Sequence, residues 1–398
     1  MAAILAPALS TLSQGLDFLP TLRVLTLAPF YPSQENPAQG CFIAEALQEL
    51  KSQAVDSDVI AIQPSYRASA HPLAGGSPAR WQTYFSFPGN FGLPLSGRFA
   101  ATSLFRQVQE SHRCEPYDLI HAHSALPCGA AALSLSERLG IPFVVTVHGL
   151  DASSTLQAGP VLGKWCARIS KRVYESARVV ICISAKVRDR VAQIADARTV
   201  VIHNGVDTSL FSPGPERRPL TILSVGNLIP IKGHATLLRA FARIQKAAPE
   251  CALHIIGEGP KRDELQTLAG SLGIADRVRF LGRQSRAEVA DAMRRCAVFA
   301  LPSSYEGLGC VYLEAMASAK PAIGCRGQGI DEIIESGRNG FLVAPNSESE
   351  LSDGLMQLLR NERLRQRVGA AAREIVLTRH SMAHQAAQLA KVYRECTR

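Results

Sequence analysis

The stretch SSYEGLGCVYLEAM, Ser303 to Met316, places two carboxylates, Glu306 and Glu314, on either side of a Gly-Leu-Gly turn. An isolated pair of acids is ordinarily a solvated helix face, so the surroundings decide what this pair does. The apolar run AVFALPS reads as a strand ending just before Glu306, with EGLG as the loop after it. Gly307 and Gly309 carry no Cβ, so backbone N–H groups around Leu308 can approach a ligand closely. A helix starting near Gly309 turns its free N–H groups and positive dipole end to the same place, which suits an anion. Glu314 lies further along that helix. A molecule running from one acid to the other needs hydroxyls at both ends and an anion between them, and a nucleotide-sugar has that layout.

Such a site needs strands whose carboxyl ends meet the ligand. Apolar, β-branched runs alternate with helical patterns along most of the chain, from LRVLTLAPF at Leu22 through DVIAIQP, YDLIHAHS, IPFVVTVHG, ARVVICIS and RTVVIHNGVD. Continuous apolar runs separated by helices argue for parallel sheets covered on both faces. TSLFSPGPERRP then reads as a linker, rich in proline and charge. The pattern restarts with LTILSVGNL, CALHIIGEGP, RVRFLGR, AVFALPS, KPAIGCR and GFLV, and residues from about Glu348 onward read as helical. The expected fold is α/β, with two Rossmann-like parallel-sheet domains facing across a cleft. The expected division is an extension over 1–20, a first domain over 21–207, a second over 208–379, and a final helix over 380–398 that packs back on the first domain.

At 398 residues the chain has room for two such cores. Its 46% hydrophobic and 19% charged residues are those of a globular chain and exclude disorder. No apolar run reaches the roughly 20 residues of a membrane helix. The apolar N-terminus lacks a basic flank and reads poorly as a signal peptide. The 10 cysteines are scattered, several in apolar runs such as VVICIS around Cys182, which fits reduced thiols and a cytoplasmic compartment. A net charge of +9 is compatible with an anionic partner. Lys164 to Arg190 concentrates it, with eight Lys or Arg against Glu175 and Asp189. No aromatic interleaving or binding motif accompanies this stretch, so nucleic acid is not expected. An anionic membrane or a phosphorylated ligand fits the stretch, the former placing the protein peripherally at the inner membrane face, and a solvated helix face that happens to be basic fits it as well.

PSSYEGLGCVYLEAMASAKPAIG, followed by GQGIDEIIESGRNGFLV, resembles the donor-binding signature of the family-4 retaining glycosyltransferases, which have the GT-B fold. SVGNLIPIKGHATLLRAF, IIGEGP and RVRFLG extend the resemblance in the second half, and LAPFYPSQENPAQGCF, YDLIHAHS, VVTVHGLD and IHNGVD in the first. It implies a metal-independent transfer of a sugar from a nucleoside diphosphate, UDP or GDP, to a sugar or lipid-linked acceptor, as in surface polysaccharide assembly, with no further cofactor. In that reading Glu306 contacts hydroxyls of the donor sugar, and the backbone from Gly307 through Leu308 to Gly309 holds sugar and phosphate oxygens. Glu314 accepts from the ribose, and Lys232 in PIKG neutralises the diphosphate. His148 in TVHGLD faces the donor sugar, Gly40 in PAQGCF matches a glycine loop near donor and acceptor, and Glu332 matches an acid after the glycine pair. Where the family carries an arginine this chain has Asn227, which can donate a hydrogen bond but no charge; Arg326 is the substitute cation considered.

Other signals are weaker. His121 and His123 in HAH share a strand face as two metal ligands would, but no third ligand is indicated. Asp56 and Asp58 in DSD follow polar residues and read as a solvated turn. GEGPK lacks the remainder of a phosphate-loop motif. Two rivals stand beside sugar transfer: a nucleotide-sugar epimerase of the same fold, and a non-catalytic basic membrane-binding protein.

Overall fold

The computed structural model describes residues 20–34, 36–67, 79–149, 160–215 and 220–398. The extension expected over 1–20 lies, but for Pro20, outside them.

The first unit is built on strands β1 (Leu22–Ala28), β2 (Val55–Pro64), β3 (Ala79–Tyr84), β4 (Leu119–His123), β5 (Phe143–Val147), β6 (Val180–Cys182) and β7 (Thr199–Val201). They form one sheet in the order β3-β2-β1-β4-β5-β6-β7, every neighbouring pair parallel. Its helices are α1 (Cys41–Leu50), α2 (Leu93–Cys114), α3 (Ala130–Leu139), α4 (Pro160–Ser176) and α5 (Ala185–Ala192). In the second unit β8 (Thr221–Val225), β9 (Ala252–Ile256), β10 (Val278–Gly282), β11 (Val298–Ala300), β12 (Ala322–Cys325) and β13 (Phe341–Val343) pair in parallel in the order β10-β9-β8-β11-β12-β13. Its helices are α6 (His234–Ile244), α7 (Arg262–Ser271), α8 (Arg286–Arg295), α9 (Cys310–Ala317), α10 (Glu348–Arg360), α11 (Glu362–Arg379) and α12 (Met382–Cys396).

Both faces of each sheet are covered, which is why the strands are apolar without alternation. Every residue of β4, β5 and β12 is buried. α1 buries Ile43, Ala46, Leu47 and Leu50, a helical stripe spaced by three and four. The last helix, α12, lies against α1 and packs Ala386, Leu389, Ala390 and Tyr393 into the core of the first unit.

Two readings of the sequence need correction or addition. Asp56 and Asp58 lie inside β2, not in a solvated turn, and Asp58 accepts from Arg23 at 2.6 Å and from the Tyr117 hydroxyl at 2.7 Å. The stretch between β2 and β4, for which the sequence pattern predicts no element, holds β3 and the long α2. All ten cysteines are free thiols, and Cys182 and Cys296 are buried. Among the described residues, no helix is long and apolar enough to cross a membrane.

Candidate active site

Strand ends of both units border a cleft of about 320 Å³, lined by Phe42 and His148 from the first unit and by Asn227, Lys232, Glu306 and Glu314 from the second. Leu308 and Gly309 line it too. Gly309 is the N-cap of α9 with φ 79°, a left-handed conformation that suits glycine. Gly307 plays another part. A Cβ there would stand 2.7 Å from the His148 carbonyl oxygen, so this glycine lets the second unit touch the first. Gly40 opens α1 with φ 72°, and a Cβ would meet the Phe30 carbonyl oxygen at 2.6 Å. The following Cys41 and Phe42 line the cleft, so Gly40 shapes its wall.

Lys232 ends a short turn, Pro230–Lys232, between β8 and α6, and its ammonium is ion-paired with Glu306. Both side chains are largely buried, 16% and 13% exposed. The Glu306 backbone N–H donates to Gln328 Oε1 at 3.0 Å, and the same oxygen accepts from Lys186 Nζ of the first unit at 2.6 Å. Gln328 thus braces the Glu306 loop from behind. A cavity of about 740 Å³ opens on that side, between α5 and the segment from Gly327 to Glu332.

Glu314 is 3% exposed. Its Oε1 accepts from Arg286 Nη1, while its Oε2 is buried with no hydrogen-bond partner among the described residues. Arg286, the first residue of α8, also donates through Nη2 to both oxygens of Glu45 on α1, at 2.9 and 3.0 Å, and stacks 4.7 Å from the Phe211 ring centre. One guanidinium therefore joins carboxylates from both units. Burial opposes its charge, but Glu314 foremost, with Glu45, holds its pKa above the ordinary arginine range. Burial raises the Glu45 carboxyl, and Arg286 works against that rise.

His148 sits 5.8 and 5.1 Å from the ring centres of Phe30 and Phe42, with Nε2 at 2.9 Å from His123 Nδ1. Burial lowers its pKa to about 4, so near neutral pH it is a neutral imidazole. His121 is engaged on both nitrogens, by the Thr146 hydroxyl and by the Tyr393 hydroxyl of α12, each at 2.7 Å. The HAH pair is thus a structural network at this position. Among the described residues, no group of three or more His, Cys, Asp or Glu is placed to hold a metal.

Glu332 does not line the cleft. It caps α5 in the other unit, accepting from the Ala185 and Lys186 N–H groups at 2.8 and 3.0 Å and standing 3.1 Å from His203 Nε2. Asn227 lines the cleft at the end of β8, but Arg326 does not stand in for the missing arginine. It is half exposed, paired with Glu350 and bonded to the Leu342 carbonyl. Among the described residues the cleft's cationic side chains are Lys232 and Arg286. Sequence reasoning missed Arg286, Glu45 and Gln328, whose partners are remote in the chain.

The model of glycosyl transferases group 1 matches residues 206–375, and that of glycosyltransferase family 4 matches residues 40–210. An uncharacterized glycosyltransferase of Methanocaldococcus jannaschii is 31% identical over 65% of this chain and 70% of its own length. Among solved structures, sucrose-phosphate synthase from Thermosynechococcus elongatus aligns with a TM-score of 0.78 at 20% identity, covering 94% of this chain and 98% of that one. HepE from Anabaena, in complex with UDP-glucose, aligns with a TM-score of 0.72 at 20% identity over 94% and 100%. These neighbours share the two-sheet GT-B architecture described above. By its matched segments and its relatives, this chain belongs to the family-4 glycosyltransferases.

Proposed function

We infer that the cleft binds a nucleoside-diphosphate sugar and transfers the sugar, with retention of configuration, to a hydroxyl of a sugar or lipid-linked acceptor. The observation that carries this reading is Glu314. A buried carboxylate with one oxygen held by Arg286 and the other without a partner is an acceptor awaiting donors, and ribose hydroxyls supply them. The start of α9 lies between Glu314 and Glu306, where a diphosphate gains from free N–H groups and the helix dipole. Lys232 stands beside it. Negative charge grows on the leaving diphosphate as the glycosidic bond breaks, so pre-placed positive potential is the main catalytic requirement. In this reading Lys232 and the helix start meet that requirement without a metal ion.

Glu306 is engaged by Lys232, which suits a carboxylate that orients sugar hydroxyls better than a free nucleophile. That favours same-face attack assisted by the leaving phosphate over a covalent glycosyl-enzyme. Neutral His148, behind the Gly307 contact, is able to donate to or accept from a sugar hydroxyl. UDP is the first nucleotide to test, because HepE was solved with UDP-glucose. The experiment is a thermal-shift panel of UDP-, GDP- and ADP-sugars followed by product analysis with and without candidate acceptors. A selective shift that Glu314→Ala abolishes, with release of the nucleoside diphosphate, supports the reading. Absence of any shift refutes it, and conversion of the donor sugar without an acceptor makes the chain an epimerase.

A further inference from the structure

Large apolar side chains are unevenly exposed on this molecule. Among the described residues eight are exposed, and six of them, Tyr66, Phe85, Phe87, Phe91, Val161 and Trp165, belong to the first unit. Their placement follows from the topology. Tyr66 and Phe85 come just after the carboxyl ends of β2 and β3, and Phe91 just precedes α2. Val161 and Trp165 are in the first turns of α4, which follows β5. A helix following a strand of a parallel sheet starts at the sheet's carboxyl end, and α2 packs against α4. The six therefore gather along one rim, on the cleft side of the first unit. They stand out individually: Phe91 is 75% and Val161 78% exposed.

Among the described residues of these rim segments, the exposed charges are cationic. No aspartate or glutamate occurs between Asp58 and Glu110, a stretch that carries exposed Arg98. On α4, Val161, Trp165 and Arg168 share a face at helical spacing, with Lys164 beside them. The structure narrows the basic stretch from Lys164 to Arg190. Arg172 is paired with Glu137, Lys171 with Glu175 and Arg188 with Asp189, while Lys186 turns to Gly327 and Gln328. Lys164 and Arg168 have no ion pair among the described residues, and both are exposed next to Trp165.

We propose that this rim docks on an anionic membrane surface, with the protruding Phe87, Phe91, Val161 and Trp165 entering the interfacial layer and Arg98, Lys164 and Arg168 meeting lipid phosphates. Protruding aromatic and aliphatic side chains beside unpaired cations are the combination that an acidic bilayer interface attracts. A protein partner would need acidic and apolar groups matched to each position, whereas a bilayer offers both everywhere. Docking by this rim turns the cleft mouth of the first unit towards the lipid, where an amphiphilic acceptor would present its hydroxyl.

The test uses the full chain without donor, so its result is independent of turnover. Co-sedimentation with phosphatidylcholine vesicles, with and without phosphatidylglycerol, is compared for wild type, Lys164→Ala/Arg168→Ala and Phe87→Ser/Phe91→Ser, all exposed positions whose melting temperatures are checked in parallel. Binding is expected only with the anionic lipid. Losing two surface cations should lower partition about 30-fold, and losing two interfacial phenylalanines should lower it at least about tenfold. The chain has 2 tryptophans, so brominated lipid should quench Trp165 in a Trp81→Phe background. Equal sedimentation with neutral vesicles, variants that bind like wild type, or an unquenched Trp165 overturns the proposal. So does a single-stranded oligonucleotide retained at this rim by a protein that ignores vesicles.

Discussion

Arg286 and Glu314 share an ion pair but have different dependents, and that asymmetry gives a sharp test. Arg286 has two carboxylates, Glu314 and Glu45, whereas Glu314 has one cation. Arg286→Ala therefore leaves Glu314, with a side chain 4% exposed, as a buried charge without a counter-ion. Breaking a buried pair in this way costs about 3–5 kcal/mol. Arg286 is itself 21% exposed, so the lower end applies, and about 3 kcal/mol corresponds to a melting shift of roughly 6–12 °C for a unit of this size. Glu314→Ala leaves Arg286 still held by Glu45 and should cost clearly less. Donor binding should rank the other way. Removing the carboxylate deletes hydrogen bonds to a charged acceptor, worth about 1.5–3 kcal/mol or a 10- to 150-fold rise in Kd, and Arg286→Ala should do no more than that. The double variant should bind donor as weakly as Glu314→Ala alone and melt higher than Arg286→Ala. Differential scanning fluorimetry and titration calorimetry read the two rankings. Additive losses in affinity would refute the reasoning, because Arg286 would then hold the donor itself instead of holding Glu314.

Four further outcomes are expected. Lys232→Ala should lower kcat by about 100-fold or more, since pre-placed charge of this kind is worth that much in the transition state, with a smaller change in donor KM; steady-state kinetics showing the reverse split would remove its catalytic role. Asn227→Arg should tighten nucleoside-diphosphate binding by about tenfold, a charge-assisted contact being worth that much, and calorimetry showing no change would separate Asn227 from the diphosphate. Burial holds His148 at about 4 against an ordinary 6.5, so the unfolded chain takes up its proton first and stability falls as pH drops from about 6.5 towards 4; urea unfolding across that window should be flatter in His148→Asn. Gly307→Ala would set a Cβ 2.7 Å from the His148 carbonyl oxygen and push the units apart; kcat/KM should fall while each unit keeps its own fold by circular dichroism, and unchanged kinetics would show the contact to be slack.

What the sequence disclosed about the site follows from distance along the chain. Glu306, Gly309 and Glu314 lie on one strand-loop-helix unit, so their spacing alone orders them around the start of α9. Lys232 is likewise fixed by a turn between β8 and α6. The missing parts join residues that only the tertiary fold brings together. Glu45 and Arg286 stand 241 positions apart, and Tyr393 and His121 stand 272 apart. No local pattern distinguishes Arg286 from the other arginines of a basic chain, since the first turn of α8 makes it look like a solvated residue. α2 escaped for a different reason. Its buried stripe contains Ser96, Gly97, Ala100 and Ala101 beside Leu104 and Val108, small residues that let it lie close to α3 and dilute the apolar period.

The same contrast separates roles within the site. Glu332, which the resemblance set beside the glycine pair, instead caps a helix belonging to the other unit. Together with Arg286 between Glu45 and Glu314, Lys186 on Gln328, and Gly307 against His148, it makes four contacts that join the two units. Two of them involve Glu314 or the Glu306 loop directly, and Lys186 reaches that loop through Gln328. In the proposed reading, the apposition of the units and the arrangement of the donor site are therefore coupled: separating the units would release the Arg286 bridge to Glu45 and the Lys186 bond to Gln328 together. A donor that draws Glu314 and Glu306 into hydrogen bonds should accordingly favour this arrangement of the units. Glu45, which does not line the cleft, should influence donor affinity through Arg286 alone, so Glu45→Gln should weaken donor binding in the wild-type background and leave it unchanged once Arg286 is alanine.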